Sequence, residues 1–196
     1  MKGHRMEGPA VTVAVPEAAG LPPSPWVARF APGIPAGGCV LDLAAGGGRH
    51  TRLLLARGHR VEAVDRDTGA LADLAGERRA TVLTADLEAV AWPLAGRRYA
   101  GIVVCNYLHR PRFDDLLALL DTPGMLIYET FMLGNERYGK PSSPDFLLRP
   151  QELLERARAA GLRVLAYEEG YAAAPRPALV QRLCAVRGEL PSPLPL

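Results

Sequence analysis

The chain has 196 residues, a length that suits one domain of ordinary size. Hydrophobic residues make up 48% and charged residues 22%, which is the balance of a globular protein whose core needs no disulfides. The formal net charge of +2 is too small to indicate a polyanionic partner, and pairs such as Arg78–Arg79 are expected on a solvated surface.

The cysteines and the apolar runs bear on where the protein works. Cys39, Cys105 and Cys184 lie far apart without CxxC spacing, so we expect free thiols in a reducing compartment. No apolar run approaches the roughly 18 residues that a membrane-spanning helix needs. The N-terminal run AVTVAV soon meets Pro16, which favours a peripheral arm over a secretion signal. The expected location is therefore cytoplasmic.

From about residue 26 the sequence alternates short apolar strands with helical stretches. In chain order the pattern predicts a strand at 39–44, a helix at 50–58, a strand at 60–65, a helix at 68–75, strands at 80–86 and 100–106, a helix at 111–120, a strand at 124–131, a helix at 150–161 and strands at 163–170 and 178–188. The last two strands are joined by YAAAPRP, which is too short for a helical crossover, so they should pair as antiparallel neighbours.

These elements predict an α/β fold in a single domain: a doubly wound, mostly parallel sheet with an antiparallel C-terminal strand. The domain should span 26–188, between an N-terminal arm at 1–25 and a Pro-rich tail at 189–196. Ligands of such sheets bind outside the carboxyl ends of the strands, where the strand order reverses. We therefore look for the functional residues just after each strand.

The stretch LDLAAGGGRH joins the first strand to the first helix through three glycines that begin at Gly46. Glycine allows backbone conformations closed to other residues and lets a ligand approach the main chain. No Gly-Lys-Ser/Thr follows, which excludes a P-loop. A dinucleotide turn is disfavoured because Thr51 stands where a small residue is required and Asp42 would lie beside a diphosphate. An acid in this position suits a positively charged ligand instead.

This stretch resembles the first motif of class I S-adenosylmethionine-dependent methyltransferases, which has the pattern acid-x-Gly-x-Gly-x-Gly. Asp42, Gly46 and Gly48 match the pattern, and Ala44 stands where the first glycine is usual. The resemblance extends in register over 26–188. Within the class, the chain is similar to the small bacterial members, including the tellurite-resistance type, in segments such as NYLHRPRFDDLLALL. The resemblance implies a Rossmann-like methyltransferase fold with S-adenosyl-L-methionine as the cofactor.

The resemblance also implies which residues hold that cofactor. Asp65 ends the second strand where the family has an acid for the ribose hydroxyls, and Asp86 ends the third strand where the family contacts the adenine amino group. Taken singly, each acid could equally cap a helix or a turn. The implied cofactor-binding residues are Asp42, Ala44, Gly46, Gly48, Asp65, Arg66, Asp86, Leu87 and Asn106.

Asn106, Tyr107 and His109 follow the fourth strand and are the candidate catalytic residues. Methyl transfer by in-line displacement requires no metal and no covalent enzyme intermediate, so an oriented, dry pocket does much of the catalysis. His109 is the candidate general base because imidazole titrates near neutral pH, with a packing or loop-anchoring role as the alternative. Tyr128 and Glu129 are candidates to border the acceptor, although Glu129 could equally form a cap or a salt bridge.

The segment 132–149 is long for a connection in a compact domain, and such connections are often lids or binding elements. We expect it to close over bound substrate, with Gly134 and Gly139 as hinges. Trp26 and Phe30 are expected either near the cofactor or in the core. The side chains of the segment expected to reach the acceptor are Asn135, Arg137, Tyr138 and Lys140.

Three other functions stay open beside methyl transfer to a small molecule. A nucleic-acid methyltransferase would need a basic face or an added binding module, and Tyr107 and Leu108 replace the prolines of the N/D-P-P-Y motif after Asn106. A non-catalytic protein could keep the fold only to bind the cofactor. A nicotinamide-dependent oxidoreductase is disfavoured by Asp42 and Thr51. We expect a small-molecule acceptor and no membrane partner.

Overall fold

The protein is described by a computed structural model that covers residues 20–190. Residues 1–19 of the predicted arm and 191–196 of the predicted tail lie outside the described residues. Within the described part, no helix is long and apolar enough to cross a membrane. Its three cysteines are unpaired.

Seven strands form one sheet in the order β3-β2-β1-β4-β5-β7-β6. β7 runs antiparallel to both of its neighbours, β5 and β6, and the other pairings are parallel. This arrangement confirms the predicted fold class, including the antiparallel pair at the end of the chain. The strands are β1 Cys39–Leu43, β2 Arg60–Asp65, β3 Ala80–Thr84, β4 Tyr99–Cys105, β5 Leu120–Phe131, β6 Arg163–Ala172 and β7 Ala178–Arg187.

Four α-helices accompany the sheet: α1 Pro25–Phe30, α2 Arg49–Ala56, α3 Phe113–Ala118 and α4 Glu152–Ala159. The first was not predicted; its N-cap is Ser24, whose hydroxyl accepts hydrogen bonds from the N–H groups of Trp26 and Val27. The helix predicted at 68–75 is a 3₁₀ helix at Gly69–Leu74.

The two faces of the sheet are both covered, and β4 at its centre is buried along its whole length. Successive side chains of β4 point to opposite faces: Ile102 and Val104 pack into one core cluster, and Val103 and Cys105 into the other. A parallel strand buried on both faces reads as a continuous apolar run, which is why YAGIVVC is so apolar. The central strands are therefore held rigidly, and the residues that follow them have fixed positions.

Candidate functional site

A cavity of about 790 Å³ opens at the carboxyl ends of β1, β2, β3 and β4. β1 lies between β2 and β4, and the chain leaves β1 toward one side of the sheet and later returns on the other. This is the reversal of strand order at which ligands of doubly wound sheets bind. The cavity is lined by residues that follow each of these four strands, together with Leu21, Arg49, His50 and Phe146.

The glycine turn after β1 forms the floor of the cavity and is held by main-chain hydrogen bonds. Ala45 N–H donates to the carbonyl of Val64 on β2 (3.0 Å), and Gly46 N–H donates to Oδ2 of Asp65 (2.8 Å). Gly46 has a φ of +52° and open space where a β-carbon would stand, so a side chain there would project into unfilled volume. The absence of a side chain at this position leaves room for a ligand.

Gly48 is required for a different reason. Its φ is +73°, and a β-carbon would lie 2.3 Å from Cδ2 of Leu71 and 2.7 Å from Nη1 of Arg52. Arg52 in turn donates to the carbonyl of Gly47 (2.5 Å) and so stabilises the conformation of the glycine turn. Gly48 does not line the cavity, so its part in the motif is close packing of the turn.

Two residues without glycine's freedom adopt left-handed backbone at the cavity. Ala44, directly after β1, has a φ of +54°, and Asn106, directly after β4, has a φ of +57°. Such conformations cost free energy for residues that carry a β-carbon and cluster at functional sites. Glycine would adopt the left-handed backbone at this place without that cost.

Asp42 lies on β1 beneath the turn and does not line the cavity. It is 1% exposed, and its carboxylate accepts a hydrogen bond of 2.6 Å from the hydroxyl of Thr51 on α2. Burial raises its pKa to about 6, and the hydrogen bond from Thr51 opposes that shift only in part. Asp42 therefore fastens β1 to α2 and places a titratable acid just behind the turn.

Three acids line the side of the cavity formed by β2 and β3. Asp65 is the last residue of β2, and Asp86 and Glu88 follow β3. The second oxygen of Asp65 accepts from Asp67 N–H (3.0 Å), and Asp86 accepts from Glu88 N–H (2.9 Å). Backbone donors thus orient these carboxylates, and their remaining lone pairs are available to hydroxyl or amino donors of a ligand.

The side of the cavity formed by β4 carries neutral groups. Cys105, Asn106 and Tyr107 line it, and burial raises the pKa of Cys105 well above its ordinary value. Burial, together with the acids of the opposite side, also raises the pKa of Tyr107. The Tyr107 hydroxyl is buried and, within residues 20–190, has no hydrogen-bond partner. A buried donor of this kind is satisfied when a ligand supplies an acceptor.

The other residues predicted for catalysis or for the acceptor lie outside the cavity lining. His109 is one of them, two residues beyond Tyr107 in an extended backbone conformation. Tyr128 donates its hydroxyl to the carbonyl of Tyr107 (2.8 Å) and so supports the loop from below. Glu129 forms a buried ion pair with Arg182 (2.5 Å), which is the salt-bridge alternative considered for it.

His50 is the main residue of the cavity that the sequence pattern did not reveal. Its Nε2 accepts a hydrogen bond of 3.1 Å from Ser24 N–H, so the ring is neutral there. Burial, with Arg49 nearby, lowers its pKa from 6.5 to about 3. Arg49 donates to the carbonyl of Pro22 (3.1 Å). These two contacts hold residues 21–24 against α2 and bring Leu21 into the cavity lining.

The segment 132–149 is fastened at both ends. Leu133 N–H donates to the carbonyl of Leu148, and Leu148 N–H donates to the carbonyl of Phe131, each at 2.9 Å. The buried side chain of Asn135 bonds Pro141 and Leu179. Phe146 is the one residue of the segment that lines the cavity.

Arg110 holds the part of the segment that carries Phe146. It donates to the carbonyls of Asp145 (2.8 Å) and Leu147 (2.7 Å) and forms two bonds of 2.8 Å with the Glu152 carboxylate. Burial alone would raise the pKa of Glu152, but the hydrogen bonds from Arg110 and from Arg149 N–H lower it to about 2. The ion pair is therefore intact at any ordinary pH.

Not all of the residues predicted near the cofactor line the cavity. Asp42 and Gly48 do not line the cavity, and Trp26 and Phe30 pack against each other in the core with ring centroids 4.7 Å apart. Within residues 20–190 no group of His, Cys, Asp and Glu has the arrangement of a metal site. The predicted cofactor-binding residues that line the cavity are Ala44, Gly46, Asp65, Arg66, Asp86, Leu87 and Asn106.

The strand order and the cavity define the class: the chain has the Rossmann-like fold of the class I S-adenosylmethionine-dependent methyltransferases. TehB from Haemophilus influenzae superimposes on 83% of this chain and 61% of its own with a TM-score of 0.67 and 19% identity. The chain thus spans less than two thirds of TehB. The likeness to this class, with the tellurite-resistance type among its members, is confirmed at the level of the fold.

Two further solved structures share the fold. A 1,6-didemethyltoxoflavin-N1-methyltransferase from Burkholderia thailandensis, with 1,6-didemethyltoxoflavin and S-adenosylhomocysteine bound, matches 89% of this chain and 80% of its own (TM-score 0.61, 22% identity). The [4+2]-cyclase SpnF matches 83% and 78% (TM-score 0.60, 15% identity). No protein-family model and no curated protein sequence matches the chain.

Proposed function

We propose that this protein is an enzyme that transfers a methyl group from S-adenosylmethionine to a small-molecule acceptor. The observation that carries the proposal is the hydrogen bond between Asp65 and the glycine turn: the carboxylate at the end of β2 accepts from Gly46 N–H at 2.8 Å, at the floor of a cavity of about 790 Å³. A nucleoside with hydroxyl donors and positive charge suits this floor better than a diphosphate, which the acids would repel.

The residues present fit that cofactor. Gly46 leaves open space where a side chain would stand, the buried Tyr107 hydroxyl has no partner among residues 20–190, and Asp65, Asp86 and Glu88 supply hydrogen-bond acceptors. We infer that Asp65 binds the ribose hydroxyls, that Asp86 and Leu87 bind the adenine, and that Ala44, Gly46, Arg66 and Asn106 complete the site. Asp42 and Gly48 act behind the turn, the first by fastening it to α2 and the second by close packing.

The mechanism assigned to the chain is orientation and exclusion of water. When bound, S-adenosylmethionine supplies an electrophilic methyl group on a cationic sulfur. Asn106, held in left-handed backbone by its N–H bond to the Glu129 carbonyl, and Tyr107, whose carbonyl Tyr128 supports, border the neutral side of the cavity. Fixed groups of this kind lower the barrier by holding the reactants in line, which raises the effective concentration of the acceptor.

A small acceptor is supported by the volume of the cavity, which falls in the ordinary range for small-molecule sites. The Burkholderia methyltransferase with the same fold holds 1,6-didemethyltoxoflavin. The net charge of +2 gives no support to a nucleic-acid acceptor. Because the cyclase SpnF shares the fold, transfer itself must be measured and not only binding.

Calorimetry with S-adenosylhomocysteine and with NAD tests the cofactor. We expect saturable binding of S-adenosylhomocysteine and none of NAD; the reverse result would make the protein an oxidoreductase candidate. Release of S-adenosylhomocysteine from S-adenosylmethionine over a panel of small acceptors and bulk RNA then tests transfer. Binding without turnover on any acceptor would favour a non-catalytic role, and turnover on RNA alone would favour the nucleic-acid alternative.

His109→Gln tests the predicted general base. If His109 accepts the proton, the variant binds S-adenosylhomocysteine as the wild type does and transfers the methyl group about 10²-fold or more slowly. His59→Gln is the matched control, because this histidine follows the far end of α2 and does not line the cavity. Equal turnover of the wild type and His109→Gln would leave His109 with the loop-anchoring role.

A further inference from the structure

The two sides of the cavity differ in charge and polarity. The acids that line it lie at the end of β2 (Asp65) or follow β3 (Asp86 and Glu88), whereas the side beyond β1 is lined by Cys105, Asn106 and Phe146. If the proposed function holds, the acid side takes the nucleoside. The side formed by β4 is then left for the acceptor.

The acceptor side has an apolar rim. Only six large hydrophobic side chains of residues 20–190 are exposed, and two of them, Leu21 (40%) and Phe146 (47%), line this cavity. Covering an exposed aromatic ring with a ligand is favourable, and exposed apolar surface at a cavity is one mark of a ligand-binding groove. The two residues come from distant parts of the chain, and both line this cavity.

Hydrogen bonds hold the main chain at or beside both rim residues. Arg110 uses its guanidinium donors on Glu152 and on the carbonyls on either side of Phe146, so the ring is held from behind. Leu21 is held through the bonds of Pro22 and Ser24 to α2. A rim prepared in this way binds a rigid ligand without a large loss of conformational entropy.

The charged and titratable groups on this side further restrict the ligand. Arg49 is the cation of the lining near β1, and His50 is neutral with its Nε2 already bonded to Ser24 N–H. Cys105 and Tyr107 keep their protons because burial raises the pKa of each. A cationic acceptor finds no carboxylate on this side, whereas a neutral or anionic molecule meets a guanidinium.

We propose that the acceptor of this enzyme is a flat, largely apolar molecule, neutral or singly negative at its polar edge, and that Phe146 is the residue that selects it by ring stacking. This inference rests on the proposed function, since it takes the acid side of the cavity to be filled by the nucleoside. Stacked or edge-on contact with an aromatic ring favours planar ligands over compact ones of the same charge.

The test uses 1-anilinonaphthalene-8-sulfonate, a largely apolar anion with a planar naphthalene ring whose fluorescence rises on binding, added to the full chain with saturating S-adenosylhomocysteine. We expect saturable binding that Phe146→Ala weakens at least five-fold and that Phe146→Trp restores to within two-fold. Val90→Ala is the matched control, because Val90 is 96% exposed and lies outside the cavity lining. Its affinity for the dye should equal that of the wild type.

Competition separates shape from charge. Naphthalene-2-sulfonate should displace the dye at a concentration at least ten-fold lower than methanesulfonate, which carries the same charge without a ring. Equal displacement by the two, or equal dye affinity of the wild type and Phe146→Ala, overturns the inference. Failure of the wild type to bind S-adenosylhomocysteine overturns the proposed function instead, so the two outcomes are distinguishable.

Discussion

The carboxylate of Asp65 has two roles, one in the glycine turn and one in the cavity lining. Its oxygens already accept hydrogen bonds from the N–H groups of Gly46 and Asp67, so it shapes the glycine turn as well as facing the cavity. An ionised carboxylate has about four acceptor positions, which leaves two for ligand hydroxyls. A single substitution at this residue should therefore weaken the cofactor site without touching the core.

We expect Asp65→Ala to weaken binding of S-adenosylhomocysteine by about 1–3 kcal/mol, the free energy of lost charge-assisted hydrogen bonds. Calorimetry on the two proteins measures it directly. Asp67→Ala is the control, since Asp67 is two residues further along and does not line the cavity. Unchanged affinity in Asp65→Ala would contradict the ribose-binding role.

Ala44 offers a test of stored backbone strain. Its φ of +54° costs about 1–2 kcal/mol for a residue with a β-carbon, whereas glycine pays roughly 0.5–1 kcal/mol in added freedom of the unfolded chain. We expect Ala44→Gly to raise the free energy of unfolding, by up to about 1 kcal/mol, in urea denaturation. Ala56→Gly, the same change in ordinary helical backbone at the end of α2, should lower it. A loss of stability in both variants would show that Ala44 is not strained.

Residue by residue, the sequence predicted several lining residues at strand ends, but Glu88 and Cys105, which also lie at or just after strand ends, were not predicted to line the site. Asp65 and Asp86 could be found because a residue that follows a strand of a parallel sheet lies at its carboxyl edge. Leu21 and Phe146 could not be found, because nothing local to either stretch says that it meets the cavity. His50 was hidden for the same reason: its bond to Ser24 spans 26 positions of the chain.

Among the elements, the segment 132–149 differs most from its prediction in how it is held. A lid with hinges at Gly134 and Gly139 was expected, and the segment is bonded to Phe131 at one end and to Arg110 near the other. Closure over bound substrate stays a prediction. Any such motion would have to break the bonds that Arg110 makes to the carbonyls around Phe146.

Arg110→Lys should loosen this segment. Lysine keeps the charge but has three donors on one atom in place of the five that the guanidinium directs in a plane, so the carbonyls of Asp145 and Leu147 lose their partners. We expect hydrogen exchange at the amides of Leu147 and Leu148 to quicken at least ten-fold. Arg110→Met should also lower stability by about 1–3 kcal/mol, because the buried Glu152 loses two charge-assisted hydrogen bonds and keeps only its contacts with Arg149.

Arg112→Lys is the matched control for this element. Arg112 bonds Asp115 and the carbonyls of Ala89 and Val90 instead of the segment, so its replacement should leave exchange at Leu147 and Leu148 unchanged. Identical exchange in the wild type and Arg110→Lys would mean that the main-chain bonds between Leu133 and Leu148 hold the segment without Arg110.

The elements themselves show why some predictions succeed and others fail. Every predicted strand is present because the central strands are continuous apolar runs between turn residues, a pattern that survives without tertiary information. The stretch 68–75 has helical periodicity, and it forms a 3₁₀ helix at Gly69–Leu74, a form that periodicity over so few residues does not distinguish from an α-helix. The six-residue helix Pro25–Phe30 was missed because prolines obscured its N-cap at Ser24.

At the scale of the whole molecule, two buried titratable groups on either side of the glycine turn act on stability in opposite directions. His50 has a pKa of about 3 in the folded protein and an ordinary value of 6.5, so between these values the unfolded chain binds the extra proton and stability rises with pH. Asp42 has a folded pKa of about 6 and an ordinary value of 3.8, so in that interval the folded protein binds the extra proton and stability falls with pH.

Between pH 3.8 and 6 the two contributions therefore cancel, and single variants should expose each one. Relative to the wild type, we expect the free energy of unfolding of Asp42→Asn to rise with pH in this interval, by up to about 1.4 kcal/mol per pH unit, and that of His50→Gln to fall by a similar slope. Urea denaturation at several pH values measures both, and the slope against pH is the readout because it is independent of any constant change in stability that the substitution causes. Curves parallel to the wild type in both variants would mean that neither group changes its proton affinity on folding. Opposite slopes would show that the turn at the centre of the sheet is bordered by an acid and a base, each kept neutral by burial.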